Sequence, residues 1–219
     1  MKPETTEGKS RLPEDLIIVI GRQFGSGGRR TGRSLATRLG LRYYDKELLS
    51  EGASEFGFSP EILARADEKK PSLLSQFFCS AFGMHDNYGP ETLSGEGLYK
   101  VQSNVIRKIG ERGGCVIVGR TADYILRDHD HLVSIFLHAP LSHRVTAICK
   151  RGDAPDCRKA EEKARKADKQ REEYYNYFTG RRWGTASNYD FTLDASQMDE
   201  EEAASLIEEY LKRRFFVEE

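Results

Sequence analysis

The chain has 219 residues and a mass of 24.9 kDa, which suits one compact domain with an insertion or a mobile lid. Hydrophobic residues make up 38% and charged residues 32%, so a core can form beneath a heavily charged surface. The formal net charge of −1 argues against nucleic acid or a membrane as partner, and no apolar run approaches the roughly 20 residues of a membrane span. The polar start lacks an apolar signal-peptide core, so we expect a cytoplasmic protein.

The chain opens with a polar stretch, which we interpret as a flexible leader over residues 1–13, ahead of a single domain over 14–219. An apolar run over 16–20 predicts a strand that is buried on both faces, as in a parallel sheet. A glycine-rich loop follows it, and helical spacing begins at Arg29 and continues to Leu39. Gly40 is the expected end of that helix.

The glycine-rich loop carries the strongest chemical signal in the sequence. Gly25, Gly27 and Gly28 are free to adopt positive φ, and amides at a helix start form an anion site suited to phosphate. The usual phosphate-binding pattern is G-x-x-x-x-G-K-[ST]. Here Arg29 stands where the lysine belongs, and Thr31 falls one place beyond the usual hydroxyl. The alternative is a flexible strand-to-helix turn with two exposed arginines.

A short strand over 41–45 should follow, ending at Asp45, and helical spacing then returns over 46–56 and 59–67. Residues 72–97 are harder to interpret, because an apolar stripe over 73–82 is followed by several glycines. An insertion that flanks a ligand cleft, a dimer contact and ordinary core packing all remain open for this segment.

The second half of the chain alternates between helical and strand patterns. A run rich in both charge signs, residues 158–177, is typical of a solvated helix face. Such alternation predicts an α/β domain with a parallel sheet. The expected helices cover 98–112, a segment from 141 or 142 to about 151, and 198–215, and the expected strands cover 115–118, 132–137 and 191–193.

Polar residues follow three of the predicted strands. These are the glycine loop, Asp45, and Arg120 with Asp123. Because ligands of such sheets bind beyond the carboxyl ends of the strands, we expect these residues to converge. The four cysteines form no C-x-x-C pair and have no zinc-ligand spacing, so we interpret them as reduced structural thiols.

Taken together, the motifs resemble those of the cytidylate-kinase-like proteins, a branch of the P-loop nucleoside monophosphate kinases. The likeness extends from Ile17 to about Ser196. The resemblance implies a P-loop NTPase-type three-layer α/β fold, with a five-stranded parallel sheet, helices on both faces and a helical lid. It also implies transfer of phosphate from ATP, with Mg²⁺, to a small acceptor such as CMP. The motifs that carry it lie at 21–29, 44–49, 118–123, 168–175, 179–184 and 188–190.

The resemblance also implies roles for individual residues. Residues of the loop would hold the donor phosphates, with Thr31 on the Mg²⁺ side. Residues 151–184 would form the lid, and 72–97 would be a variable insertion near the acceptor. The implied donor-site residues are Gly25, Ser26, Gly27, Gly28, Arg29, Arg30 and Thr31. The implied catalytic residues are Arg29, Arg120, Asp168 and Arg171, and the implied acceptor-binding residues are Asp45, Arg120 and Asp123.

Two departures from the family pattern leave the acceptor open. Thr121 follows Arg120 where cytidylate kinases have aspartate, and no acceptor-binding serine is evident after the second strand. A kinase for a non-nucleotide small molecule is therefore an alternative. Arg29 in the lysine position favours another alternative, a nucleotide-binding regulatory protein without turnover. A third, a partner-binding module, depends on the stripe over 73–82, and the protein could be a monomer or a homodimer.

Overall fold

The computed structural model describes residues 12–45 and 95–215. The helices predicted over 46–56 and 59–67, the apolar stripe over 73–82 and most of the predicted leader lie outside the described residues. Among the helices that are described, none is long and apolar enough to span a bilayer.

The described chain alternates between strands and helices, as the sequence pattern predicts. The strands are β1 (Ile17–Arg22), β2 (Arg42–Tyr44), β3 (Cys115–Val118), β4 (Leu132–His138) and β5 (Phe191–Asp194). The helices are α1 (Gly28–Leu39), α2 (Gly95–Glu111), α3 (Ala122–Ile125), α4 (Leu141–Lys150), α5 (Cys157–Thr179) and α6 (Glu200–Phe215), with a 3₁₀ turn at Ala186–Asn188.

The strands form one parallel sheet in the order β2-β3-β1-β4-β5. This confirms the predicted α/β fold with a five-stranded parallel sheet. β1 lies in the centre, and because all strands run the same way, their carboxyl ends meet at one edge. The glycine loop after β1 therefore lies in the middle of the edge where ligands of such sheets bind.

Both faces of the sheet are covered, which explains why β1 is a continuous apolar run. Ile18 and Ile20 face one core, to which α1 and α6 contribute, with Leu35 and Ile207 fully buried there. Ile17 faces the opposite core, where α2 and α3 pack. Alternation along one strand thus serves two cores at once.

Asp190 fastens α6 to the sheet just before β5. Its carboxylate accepts hydrogen bonds from the Ser134 amide at 2.8 Å and from Arg214 Nη1 at 2.7 Å. Desolvation alone would raise the pKa of Asp190, but the hydrogen bonds from Arg214 and Ser134 outweigh it and lower that pKa. The carboxylate is therefore stabilised in its charged form in the folded protein.

Some helices begin at other residues than the sequence pattern predicts. The last helix begins at Glu200 and not at Met198, because the Asp199 carboxylate accepts the amides of Glu201 and Glu202. Helix α2 begins at Gly95 and not at 98. The short α3 was not expected from the sequence. It begins after Thr121, which adopts a left-handed conformation with a φ of 55°.

Candidate functional site

A cavity of about 750 Å³ opens at the carboxyl edge of the sheet, and side chains of one charge sign dominate its wall. Eight cationic side chains and two acidic ones line it, whereas the whole chain is almost neutral. Its concave shape and local positive charge suit a small polyanion. The charged lining residues are Arg22, Arg29, Arg30, Arg120, Arg151, Lys163, Lys166, Arg171, Asp123 and Asp153.

The glycine loop forms the floor of this cavity. Gly25 has a φ of 89° and Gly27 a φ of 85°, a region that side chains rarely adopt, and Gly27 is the N-cap of α1. Among the hydrogen bonds of the described residues, none uses the amides of Gly25, Gly27 or Gly28 as donor. These amides are therefore available to an anion at the helix start, as the phosphate-binding interpretation requires.

Arg22 also lines the cavity, although no pattern in the sequence singles it out. It is the last residue of β1, and glycines leave space for its side chain on both sides. A Cβ on Gly28 would lie 2.7 Å from Arg22 Cβ, and one on Gly119 would lie 2.0 Å from Arg22 Nη1. Glycine at 28 and 119 thus gives the Arg22 side chain its path into the cavity.

Arg22, Arg29, Arg120 and Arg171 repel one another around the cavity. Desolvation, together with the neighbouring charges of the other three arginines, lowers the pKa of Arg22 well below its usual range. Desolvation is also the main cause that lowers the pKa of Arg120 to about 10, with Arg171 and Arg29 adding to it. A polyanionic ligand would relieve this repulsion, so the site is electrostatically prepared for one.

Arg29 lies on the first turn of α1 beside the end of β2. Its Nη2 is 3.5 Å from Oδ2 of Asp45, a carboxylate that is almost completely buried. The hydroxyl of Tyr43 donates to that same carboxylate and to the Arg29 carbonyl. The structure therefore brings the predicted residues Arg29 and Asp45 together, with Arg29 on the cavity wall and Asp45 behind it. Arg30 also lines the cavity and pairs with Glu200 at 3.2 Å.

Ser26 and Thr31 lie inside the loop and helix rather than on the cavity wall. Both are buried. The Ser26 hydroxyl donates to the carbonyls of Gln23 and Leu137, and the Thr31 hydroxyl faces the Gly27 carbonyl at 3.5 Å. In this arrangement Ser26 fixes the shape of the loop. The Mg²⁺-side role of Thr31 stays a prediction.

Asp168, on α5, connects that helix to the glycine loop. It accepts the Phe24 amide at 2.7 Å, Arg144 Nη1 at 2.7 Å and Arg171 Nη1 at 3.3 Å. Arg144 is buried and also donates to the carbonyls of Phe24 and Ala139. Desolvation raises the pKa of Asp168, and its three donors act against that rise. The carboxylate thus lies in a buried ion network that positions Arg171, whose Nη1 also donates to the Arg22 carbonyl.

The wall opposite the loop is built around an unusual backbone. Gly119, Arg120 and Thr121 all have positive φ, at 80°, 67° and 55°. Such conformations are rare for residues with side chains, and tertiary contacts must hold them. Gln102 supplies one of these contacts, because its Nε2 donates to the Arg120 carbonyl at 3.0 Å. The turn directs the Arg120 side chain to the cavity wall.

Asp123 lies on the same wall and is the predicted acceptor-side carboxylate. The Tyr175 hydroxyl donates to its Oδ2 at 2.7 Å. Desolvation raises the pKa of Asp123, while that hydrogen bond lowers it. Tyr175 and Tyr174 both come from α5, so this helix lies against the wall with Asp123 as well as against the loop. Among the described residues, no group of three His, Cys, Asp or Glu side chains is arranged to hold a metal ion.

The family described as "Cytidylate kinase-like family" matches residues 17–197. No curated protein matches the chain significantly. The crystal structure of an uncharacterized protein from Eubacterium ventriosum ATCC 27560 is 30% identical, covers 91% of this chain and 99% of its own, and superposes with a TM-score of 0.68.

Two more distant structures share the fold. Shikimate kinase from Acinetobacter baumannii, in complex with shikimate, is 16% identical with a TM-score of 0.52, and the alignment covers 93% of this chain and 97% of that one. Shikimate kinase from Bacteroides thetaiotaomicron is 12% identical with a TM-score of 0.53, over 90% of this chain and 98% of that one. At this identity the likeness concerns the fold alone.

Proposed function

Because the chain belongs to the cytidylate kinase-like family, we propose that it transfers a phosphoryl group from ATP, with Mg²⁺, to a nucleoside monophosphate such as CMP. The observation that carries this proposal is the cluster of four arginines around the cavity above the glycine loop. Phosphoryl transfer requires positioning and neutralisation of charge more than a covalent group from the protein. Such a cluster, beside loop amides that donate no hydrogen bond among the described residues, supplies both.

In the proposed reaction, the amides of Gly27 and Gly28 bind the donor phosphates at the start of α1. Arg29 and Arg171 stabilise charge on the oxygen that bridges the β- and γ-phosphates as its bond to the γ-phosphorus breaks. The acceptor oxygen forms the new bond to that phosphorus, and ADP is released. Mg²⁺, when bound with ATP, would offset phosphate charge. Thr31 is the residue that we propose on its side.

Arg120 and Asp123 are proposed to bind the acceptor, because they share the wall opposite the loop. Arg120 suits an acceptor phosphate, since a guanidinium binds two phosphate oxygens at once. Asp123 suits a hydrogen-bond donor of the acceptor, such as an amino or hydroxyl group. Asp45 is proposed to act through Arg29, which it orients at 3.5 Å. Asp168 is proposed to position Arg171.

A second candidate is a regulatory protein that binds ATP without turnover. The observation in its favour is the ion pair between Arg29 and the buried Asp45. Arg29 occupies the lysine position, and this pair engages its guanidinium with a carboxylate of the protein itself. Lysine would carry its charge on a flexible stem, whereas the arginine fork is planar and rigid.

Substitution of Arg29 separates these candidates. If Arg29 stabilises the transition state, Arg29→Ala should lower turnover by ~10²–10³, the usual effect of losing one such group. Arg29→Lys should lose most activity if the site is shaped around the fork and retain it if arginine is merely tolerated. Turnover and ATP affinity that are both unchanged in Arg29→Ala would contradict the proposed role.

The acceptor side has its own matched test. We expect Arg120→Met to raise KM for the acceptor while ATP affinity changes little. Arg127→Met is the control, because Arg127 lies on the same segment but stacks on Tyr124 and does not line the cavity. An equal effect of both substitutions on the acceptor KM would contradict the assignment of Arg120.

A further inference from the structure

Two cysteines that are eight residues apart in the sequence have sulfur atoms in contact beside the cavity. Cys149 is on the last turn of α4, and Cys157 is the first residue of α5. Their sulfur atoms are 3.6 Å apart, with the Cys149 thiol donating to Cys157 Sγ. Cys157 is exposed and Cys149 is half-buried, whereas Cys115 is fully buried in β3. The pair is therefore accessible to a reagent in solution.

We propose that Cys149 and Cys157 form a reversible modification site, a dithiol that a small-molecule disulfide such as oxidised glutathione converts into an intramolecular disulfide. One thiolate attacks a glutathione sulfur, so a mixed disulfide forms and one reduced glutathione leaves. The second protein thiolate then attacks the protein sulfur of that bond and releases the second glutathione. The two cysteines are oxidised by two electrons, and oxidised glutathione is reduced by the same number.

The turn between the two helices already holds the sulfurs close to bonding distance. The Gly152 amide donates to the Cys149 carbonyl at 2.9 Å, and the Asp153 amide donates to the Ile148 carbonyl at 3.1 Å. Gly152 has a φ of 73°, and a Cβ there would meet nothing within 4 Å, so the turn is open to solvent. A disulfide needs its sulfurs about 2.05 Å apart, which requires an approach of roughly 1.5 Å.

Oxidation of the pair should affect the cavity, because the joined segment contributes to its wall. Arg151 and Asp153 line the cavity between the two cysteines. Arg151 Nε donates to the Asp153 carboxylate at 2.8 Å, and Lys163 of α5 donates to the Asp153 carbonyl at 2.7 Å. A disulfide would fix the base of α5 to the end of α4. Under the proposed function, on which this step depends, that restriction should slow closure of residues 151–184 and lower kcat several-fold.

Digestion with trypsin offers a direct test on the full chain. In the reduced protein, cleavage after Arg144, Lys150, Arg151 and Arg158 separates the peptide 145–150, with Cys149, from the peptide 152–158, with Cys157. After incubation with oxidised glutathione, we expect these two peptides to appear as one disulfide-linked species with two hydrogens fewer. A reductant should restore the separate peptides. Cys149→Ser and Cys157→Ser should each yield only a glutathione adduct on the remaining cysteine.

The proposal is overturned if the wild-type protein shows glutathione adducts on each cysteine but no linked peptide. A link from either cysteine to Cys79 or to another chain would overturn it equally. The mass measurement needs no enzymatic activity, so its failure is distinct from failure of the proposed function. Linked peptides with an unchanged kcat would remove only the proposed effect on the cavity. Linked peptides with no turnover in either redox state would instead contradict the proposed function.

Discussion

The ion network at Asp168 yields the sharpest structural prediction. Asp168→Asn removes the negative charge but leaves one amide oxygen that can still accept the Phe24 amide. Arg144, whose side chain is only 8% exposed, then loses the carboxylate that lies 2.7 Å away. Arg171, whose Nη1 lies 3.3 Å from the other oxygen of Asp168, loses the same counter-charge. The substitution therefore leaves a nearly buried guanidinium without its counter-charge.

The magnitude follows from that burial. Removal of one partner from a buried ion pair typically costs 3–5 kcal/mol, because the remaining charge is left uncompensated. The retained amide oxygen and the carbonyls of Phe24 and Ala139 still accept hydrogen bonds, which places the expected loss near the lower bound. We expect Asp168→Asn to lower the free energy of unfolding by about 3 kcal/mol.

Denaturation by guanidinium chloride, monitored by circular dichroism, measures this loss. Glu162→Gln is the matched control, because Glu162 is on the same helix and pairs with Arg158 and Lys159 in solvent. That variant should be indistinguishable from the unmodified protein. If Asp168→Asn is as stable as the control, then Asp168 is not the counter-charge that stabilises the buried Arg144.

Three further predictions concern pH, the cavity wall and the lid. Asp190 has a lowered pKa, so its contribution to stability is present at neutral pH and is lost as pH falls through that pKa. Asp190→Asn should therefore lower the free energy of unfolding by about 1–2 kcal/mol at pH 7, and the difference should shrink as the solution is acidified through that pKa. A difference that persists at low pH would contradict this assignment. Gly119→Ala and Gly40→Ala should each lower the free energy of unfolding by about 1–2 kcal/mol, because both glycines have a left-handed φ. Only Gly119→Ala should weaken ATP binding, because only its methyl group would displace Arg22. Equal ATP affinities of the two variants would refute the role of Arg22. Residues 151–184 should gain protection from hydrogen exchange when an ATP analogue and CMP bind together, and unchanged protection would identify them as an ordinary solvated face.

The sequence predicts those features that depend on local pattern. The apolar runs define the strands, because a strand between two cores has no polar face, and the order of strands and helices predicts the confirmed parallel sheet. Gly25 and Gly27 indicate the loop because their conformations exclude most side chains. The family and the kinase type of enzyme, predicted from the motifs, are confirmed by the match over residues 17–197.

Features that depend on long-range contact have no such local signal. In the sequence, Arg22 resembles an ordinary residue at the end of a strand. Its contact with Gly119 is evident only when the sheet has formed. In the sequence, Arg144 resembles a surface residue of a helix. Its ion pair with Asp168 is evident only when the two helices pack together. The spacing of the cysteines predicts reduced structural thiols, but the turn after α4 brings the sulfurs of Cys149 and Cys157 within 3.6 Å of each other. In each case the partner lies elsewhere in the chain, and only the fold brings the two together.

Turnover with defined acceptors tests the central claim most directly. ADP formation should be measured with ATP and Mg²⁺ in the presence of CMP, other nucleoside monophosphates, shikimate and simple sugars, for the unmodified protein and Arg127→Met. The proposal predicts ADP formation that depends on a nucleoside monophosphate, is fastest with CMP, requires the metal and is unaffected by the control substitution. Saturable binding of ATP with no ADP formation for any acceptor would contradict a kinase and favour the regulatory alternative.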